Sequence, residues 1–183
     1  MEIPEDVLKV WDKYRLPENV RRHCMKVAEI ALRIAERIKR NGHNIDLEAV
    51  KKGALLHDLG RAVTHEPFRH FIISGELLRK EGFDEKIVRI AERHFSAGVT
   101  EEEAKKLGLE VVKSFMPETI EEKVVCYADK VTRGDKEISF EEFLKRLDDL
   151  EKEHPETAWF TKRTRERIIK IKEELERLAG VEL

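Results

Sequence analysis

A chain of 183 residues, 40% of them hydrophobic, with only 9 glycines and 5 prolines, is long enough to bury one sizeable core, and a single domain over 1–183 is expected. Charged residues make up a further 40%, yet 36 Lys plus Arg against 38 Asp plus Glu leave a net charge of −2; this excludes a whole-surface field for nucleic acid or anionic membrane and confines any such partner to a local patch. The same dense mixture of Glu, Lys and Arg is how many heat-adapted proteins are composed.

The first residues, Met1-Glu2-Ile3-Pro4-Glu5-Asp6, lack a basic stretch followed by an apolar core, and no later segment approaches the length of a membrane span, so a soluble cytoplasmic protein is expected. Val20, Val27, Ile30, Ala31, Ile34 and Ile38 recur at helical spacing, and Asn41-Gly42 ends that helix in a turn. Asp46 can cap the next helix, running through Val50 and Ala54 to about Gly60, while Pro67 suits the first turn of another that reaches about Lys80 and stops at Gly82. Asp84 caps a short helix through Ile87, Ile90 and Ala91. Thr100 with Glu103, Thr119 with Glu122, and Ser139 with Glu142 have capping-box spacing and start three more. Beyond Pro155, Ile168, Ile169, Ile171, Leu175 and Leu178 repeat among charges as an amphipathic helix. No segment alternates convincingly as a strand, and there is no internal repeat or low-complexity tract. The softest joint is Arg133-Gly134-Asp135, ahead of the charged carboxy-terminal helices. Cys24 and Cys126 lie far apart, without CxxC spacing and among apolar residues, which reads as two reduced buried thiols and excludes a zinc-finger framework. The expected fold class is all-α.

Polar residues interrupt this pattern at informative places. His57-Asp58 sits in Ala54-Leu55-Leu56-His57-Asp58-Leu59-Gly60, a run that otherwise reads as buried helix, and burying an unpaired carboxylate costs on the order of several kcal/mol. Either a nearby base or a metal ion must compensate it. Helical phasing adds companions. His23 lies three residues after Val20 and four before Val27; His57 follows Val50 and Gly53; His94 follows Ile87, Ile90 and Ala91; His70 precedes Ile73, Ser74 and Leu77. Asp129 closes the apolar run Val124-Val125-Cys126-Tyr127-Ala128. One histidine on an apolar face is more often a hydrogen-bonded core residue than a ligand, but four inward histidines and two inward carboxylates would need many separate partners, whereas one or two divalent cations satisfy all six. His43 and His154 read as solvated, and His65, in a loop before Pro67, can reach the site, contact substrate or cap the following helix.

The order His23, His57-Asp58, Asp129 resembles the HD-domain superfamily of metal-dependent phosphohydrolases, over residues 18–135, with Ala128-Asp129-Lys130 similar to the distal aspartate segment of that family. His70 and His94 stand where members with two metals carry two further histidines. The resemblance implies a single-domain HD-type helical bundle with its core at 18–135 and additional helices at 139–183 packed on it. It also implies ligands that converge from several helices on one cleft. Many dinuclear members carry lysine three residues after the aspartate, where this chain has Arg61; arginine supports an electrostatic role toward phosphate but not proton delivery.

The expected chemistry is hydrolysis of a phosphomonoester or phosphodiester of a small phosphorylated substrate, a nucleotide being one candidate. His23, His57, Asp58, His70, His94 and Asp129 would serve as metal ligands, and Asp58, Arg61 and Asp129 as the catalytic set. Imidazole and carboxylate ligands suit iron, manganese, nickel, cobalt, zinc or magnesium, and Asp58 is positioned in sequence to bridge two ions. The alternative is a metal-bound regulatory or scaffold module with negligible turnover. A further alternative is an accessory protein that binds RNA or a partner helix through the carboxy-terminal helices, whose balanced charge argues against strong nucleic-acid affinity. No glycine-rich phosphate loop selects a substrate. Phe68, Phe71 and Phe95 read as core rather than pocket, and Lys105, Lys106, Lys113 and Arg133 as a solvated face rather than a phosphate rim.

Overall fold

The computed structural model describes residues 1–183 as a helical bundle. Its helices are α1 (Glu5–Lys13), α2 (Glu18–Arg40), α3 (Leu47–Leu56), α4 (His70–Lys80), α5 (Glu85–Glu92), α6 (Glu101–Leu107), α7 (Ile120–Lys130), α8 (Phe140–Glu153) and α9 (Ala158–Ala179). The starts follow the local chemistry. Asp46 accepts from Ala49 N, Asp84 from Lys86 N, Thr119 from Glu122 N and Ser139 from Glu142 N, while Thr100 and Glu103 form a complete capping box. The all-α expectation holds, and no helix is long and apolar enough to cross a membrane.

The long helix α2 is the axis. It buries Val20, Cys24, Val27, Ala28, Ile30, Ala31, Ile34, Ala35 and Ile38 along one stripe, against which α3, α7 and α9 pack. Ile168, Ile171, Leu175 and Ala179 of α9 and Phe143 and Leu147 of α8 belong to that same core. A smaller cluster of Phe71, Ile72, Val99, Ala104, Leu109, Phe115 and Phe160 lies beside it. Both cysteines are buried and free.

Four local features differ from the sequence reading. The helix α1 was not expected; it buries Val7, Val10 and Trp11, and the Trp11 indole N–H donates to the Leu55 carbonyl at 3.0 Å, satisfying one of the carbonyls that α3 leaves open at its end. The helix α3 stops at Leu56 rather than near Gly60. The chain turns at His57-Asp58 into a short 3₁₀ segment, Leu59–Ala62, where Gly60 lies so close to α4 that a Cβ would stand 2.0 Å from the His70 carbonyl oxygen. Pro67 lies before α4 and not within it, because Arg69 N and His70 N both close a turn on the Glu66 carbonyl. Finally, the joint at Arg133-Gly134-Asp135 is a tight antiparallel hairpin, β1 (Thr132–Arg133) with β2 (Lys136–Glu137), turned by Gly134 at φ +63°.

Candidate metal centre

These elements bring the sequence-predicted residues to one end of the bundle. His23 comes from the second turn of α2, His70 from the first residue of α4 and Asp129 from the last turn of α7. His57, Asp58 and His94 are not on helices as the sequence suggested; they stand immediately beyond the ends of α3 and α5, where the chain must turn. His57, Asp58, His70 and His94 are almost fully buried, while His23 and Asp129 keep a narrow opening to solvent.

The six side chains form two trios. His23, His57 and Asp129 make one, and Asp58, His70 and His94 the other. Asp129 Oδ1 lies 3.0 Å from His23 Nε2 and 3.3 Å from His57 Nε2. Asp58 faces both groups: its Oδ1 is 3.4 Å from His70 Nε2 and 3.3 Å from His94 Nε2, and its Oδ2 is 3.5 Å from both His23 Nε2 and His57 Nε2.

The far sides of the imidazoles determine what the near sides offer. His23 Nδ1 donates to the Gly134 carbonyl at 2.6 Å, His57 Nδ1 to Ala54 at 2.6 Å, His70 Nδ1 to Glu66 at 3.2 Å and His94 Nδ1 to Ala91 at 2.6 Å. A carbonyl only accepts, so each Nδ1 carries the proton, and in the neutral ring each Nε2 presents a lone pair to the centre. There the lone pairs meet carboxylates, which also cannot donate, and each other: His70 Nε2 and His94 Nε2 are 3.3 Å apart. His57 Nε2 and Asp58 Oδ1 are buried with no hydrogen-bond partner. Converging nitrogen and oxygen lone pairs, fixed from behind and unanswered in front, fit divalent cations.

Without cations the charges respond to one another. Burial opposes ionisation of Asp58, but the His57 charge, with the imidazoles of His70 and His94 close by, outweighs it and holds the carboxyl well below its usual range. Burial acts likewise on Asp129, and there Lys130, His23 and His57 prevail. His57 is raised well above 6.5 and His23 is also raised, each against burial, by Asp58 and Asp129 respectively. His94, whose dominant influence is burial, is pushed down to about 4.

Lys130 escaped the sequence reading as a functional residue. It is buried, and its Nζ donates to Asp129 Oδ2 at 2.9 Å and to the His94 carbonyl at 2.6 Å, so it ties the two trios together. Its signal in the sequence is its position four residues after Cys126, on the same helical face. Gly60 and the Gly134 carbonyl are further supports that no sequence signal marked; Gly60 N donates to Ser74 Oγ at 2.7 Å and pins the turn that carries Asp58 to α4.

A cleft of about 800 Å³ opens onto this centre. Arg61 lines it, with Nε 3.3 Å from Asp58 Oδ2. His65 lines it too, as does His154, which the sequence reading left to solvent; His43 does not. Phe68 and Phe95 face the cleft and so depart from the core reading, while Phe71 stacks on Phe95 from the buried side with ring centroids 4.8 Å apart. Lys106 lies over the Trp159 ring and Lys113 pairs with Glu92, so neither forms a rim, but Arg133 does reach the cleft.

The HD domain family model matches residues 20–134. The uncharacterized protein MJ0778 of Methanocaldococcus jannaschii is 45% identical over 139 residues, which cover 75% of this chain and 81% of that one. A tRNA (cytidine(56)-2'-O)-methyltransferase of Picrophilus torridus is 41% identical over 162 residues, 88% of this chain but 43% of the relative. A ribonuclease Y of Malacoplasma penetrans is 30% identical over 139 residues, 74% of this chain and 25% of the relative. The chain thus spans less than half the length of the latter two. Among solved structures, the HD domain of the L. monocytogenes phosphodiesterase PgpH, in complex with cyclic-di-AMP, shares the fold with a TM-score of 0.51 at 19% identity, over 90% of this chain and 93% of that one.

Proposed function

This chain belongs to the HD-domain family, and we propose that it is a metal-dependent phosphohydrolase acting on a small phosphorylated substrate, a phosphomonoester or phosphodiester, at the two histidine trios. The observation that carries this reading is the common orientation of the four imidazoles, each donating Nδ1–H to a backbone carbonyl and turning Nε2 inward on carboxylates that cannot donate. Divalent cations held there would activate water for attack on phosphorus and neutralise phosphate oxygens.

The chain's own residues have distinct tasks in this reading. His23, His57 and Asp129 would hold one cation and His70 and His94 another, with Asp58, which faces both groups, contributing to each. Arg61, on the rim beside Asp58, binds and orients the phosphate through its guanidinium fork; as a permanent cation it does not relay protons. The aromatic flank of the cleft at the partly buried Phe68 and Phe95 excludes water from one side of the substrate. The imidazole nitrogens and carboxylate oxygens of the two trios suit manganese, iron, cobalt, nickel or zinc. The names of two relatives, a ribonuclease and a phosphodiesterase, support phosphoester cleavage.

The test is a panel of phosphomonoesters, phosphodiesters and nucleotides assayed with manganese, iron, nickel or cobalt added to chelator-stripped protein. Turnover that appears with metal and is lost in Asp58→Ala supports the assignment. Stoichiometric metal without turnover on any member of the panel would instead make the site structural.

A further inference from the structure

The wall of the cleft opposite in character to the metal centre is built by α8, and its charges are sorted. Along Phe140–Glu153 this helix carries six carboxylates, Glu141, Glu142, Asp148, Asp149, Glu151 and Glu153, against three cations, Lys145, Arg146 and Lys152. None of the six carboxylates lines the cleft. The residues that do are Phe143, Arg146, Leu147 and Leu150, at spacings of one helical face, followed by His154 at the end of the helix. Two of the carboxylates are drawn to the far side, where Asp148 Oδ1 and Glu151 Oε1 accept from Arg165 of α9 at 2.7 and 3.2 Å. A net-acidic helix therefore presents only positive charge and apolar surface to the cavity.

The other cations of the cleft have partners. Arg61 faces Asp58 at 3.3 Å, Arg22 faces Asp135 at 3.8 Å, and Lys130 donates to Asp129 at 2.9 Å. Arg146 of α8 and Arg133 of the hairpin line the same cavity and make no ion pair or hydrogen bond to any side chain of the protein. Two unanswered guanidinium groups on a cavity wall recognise phosphate through paired N–H donors, where a lysine would act as a point charge. The cavity, about 800 Å³, is also far larger than one phosphate needs, and falls in the range that holds a whole small-molecule ligand.

We propose that Arg146 and Arg133 form a second anion subsite, which holds a phosphate group of the substrate other than the one at the histidine trios, so that the ligand of this cleft is an organic molecule bearing two separate phosphates. The apolar residues Phe143, Leu147 and Leu150 on one side and Phe68, Phe95 and Phe160 on the other accept the body between the phosphates. The proposal rests on the reading of the trios as the reaction centre, but the subsite itself needs no metal.

Adenosine 3′,5′-bisphosphate and adenosine 5′-monophosphate serve as probes, titrated calorimetrically into manganese-loaded and into chelator-stripped protein. In both forms the wild type is expected to bind the bisphosphate at least tenfold more tightly. Arg146→Ala and Arg133→Ala, checked for wild-type thermal midpoints, are expected to lose most of that ratio, whereas Lys145→Ala, a neighbouring cation outside the cleft, keeps it. Equal affinity of the wild type for the two probes, or variants that weaken both alike, would overturn the proposal. Discrimination that persists in a protein with no metal-dependent turnover would uphold the subsite and refute the proposed reaction instead.

Discussion

Lys130 Nζ holds Asp129 Oδ2 at 2.9 Å, the oxygen turned away from the histidines, and so leaves Asp129 Oδ1 alone to face His23 and His57. Asp129 is thereby limited to one oxygen toward its trio, while Asp58 extends one oxygen to each trio. Loss of a hydrogen bond to a buried charge costs about 1.5–3 kcal/mol, which is roughly a tenfold to hundredfold change in an equilibrium. Lys130→Met is expected to weaken metal retention in that range and to free Oδ2 as an added ligand. In cobalt-substituted protein the visible bands should then weaken as coordination number rises, and Lys130→Arg should restore them in part. Unchanged metal affinity and spectrum would reduce Lys130 to a packing residue.

Arg61 lines the cleft but belongs to neither trio. Arg61→Ala should raise KM and lower kcat for phosphoesters while metal content stays at the wild-type level, because no ligand is removed. A variant that loses metal as well would make Arg61 a support of Asp58 and not a phosphate group binder.

Gly60 permits the close approach that sets Asp58 against α4. A Cβ at this position would stand 2.0 Å from the His70 carbonyl oxygen and 2.8 Å from Ser74 N, both backbone atoms that cannot swing aside. Gly60→Ala is therefore expected at or beyond the upper end of the roughly 1–3 kcal/mol that overpacking costs, read by denaturant unfolding. It should also displace His70 and release metal from the trio it shares with His94.

Far from the centre, Glu103 of α6 accepts from Arg163 and Arg167 of α9 and from Thr100 N, and these bonds overcome its burial to hold its pKa at about 2 against 4.5. A carboxylate with a depressed folded pKa contributes stability that is fully present above the unfolded value and is lost as pH falls through the folded one. The wild type should then lose on the order of 1–3 kcal/mol between about pH 4.5 and pH 2 through this group. Glu103→Gln should melt lower at neutral pH, with the difference closing across that window. A constant difference down to pH 2 would assign the effect to packing.

The residues that were legible in the sequence are those whose position follows from local periodicity or capping. His23 could be phased from Val20 and Val27 because α2 is long and regular, and Asp129 was conspicuous in an apolar run. The end of α3 was not legible, since no glycine or proline interrupts Leu56-His57-Asp58; α5 ends at Glu92, one residue beyond the expected Ala91, but nothing in Glu92-Arg93-His94 marks the turn that carries His94 off the helix. Apart from its spacing from Cys126, Lys130 has nothing in the sequence to set it apart from any last-turn cation that the helix dipole favours; only the tertiary fold buries it between Asp129 and His94. The hairpin at Thr132–Glu137 pairs too few residues to alternate visibly, yet its Gly134 carbonyl fixes the ring of His23.

The central claim is that one carboxylate, Asp58, serves two cation positions. Metal analysis of protein reconstituted with manganese and freed of excess tests it most directly, in the wild type, Asp58→Ala and His94→Ala, with helicity and thermal melting measured alongside. The expected result is two equivalents per chain in the wild type, about one in His94→Ala, and none retained in a folded Asp58→Ala. A folded Asp58→Ala that keeps its metal, or a wild type that retains none, would contradict the account.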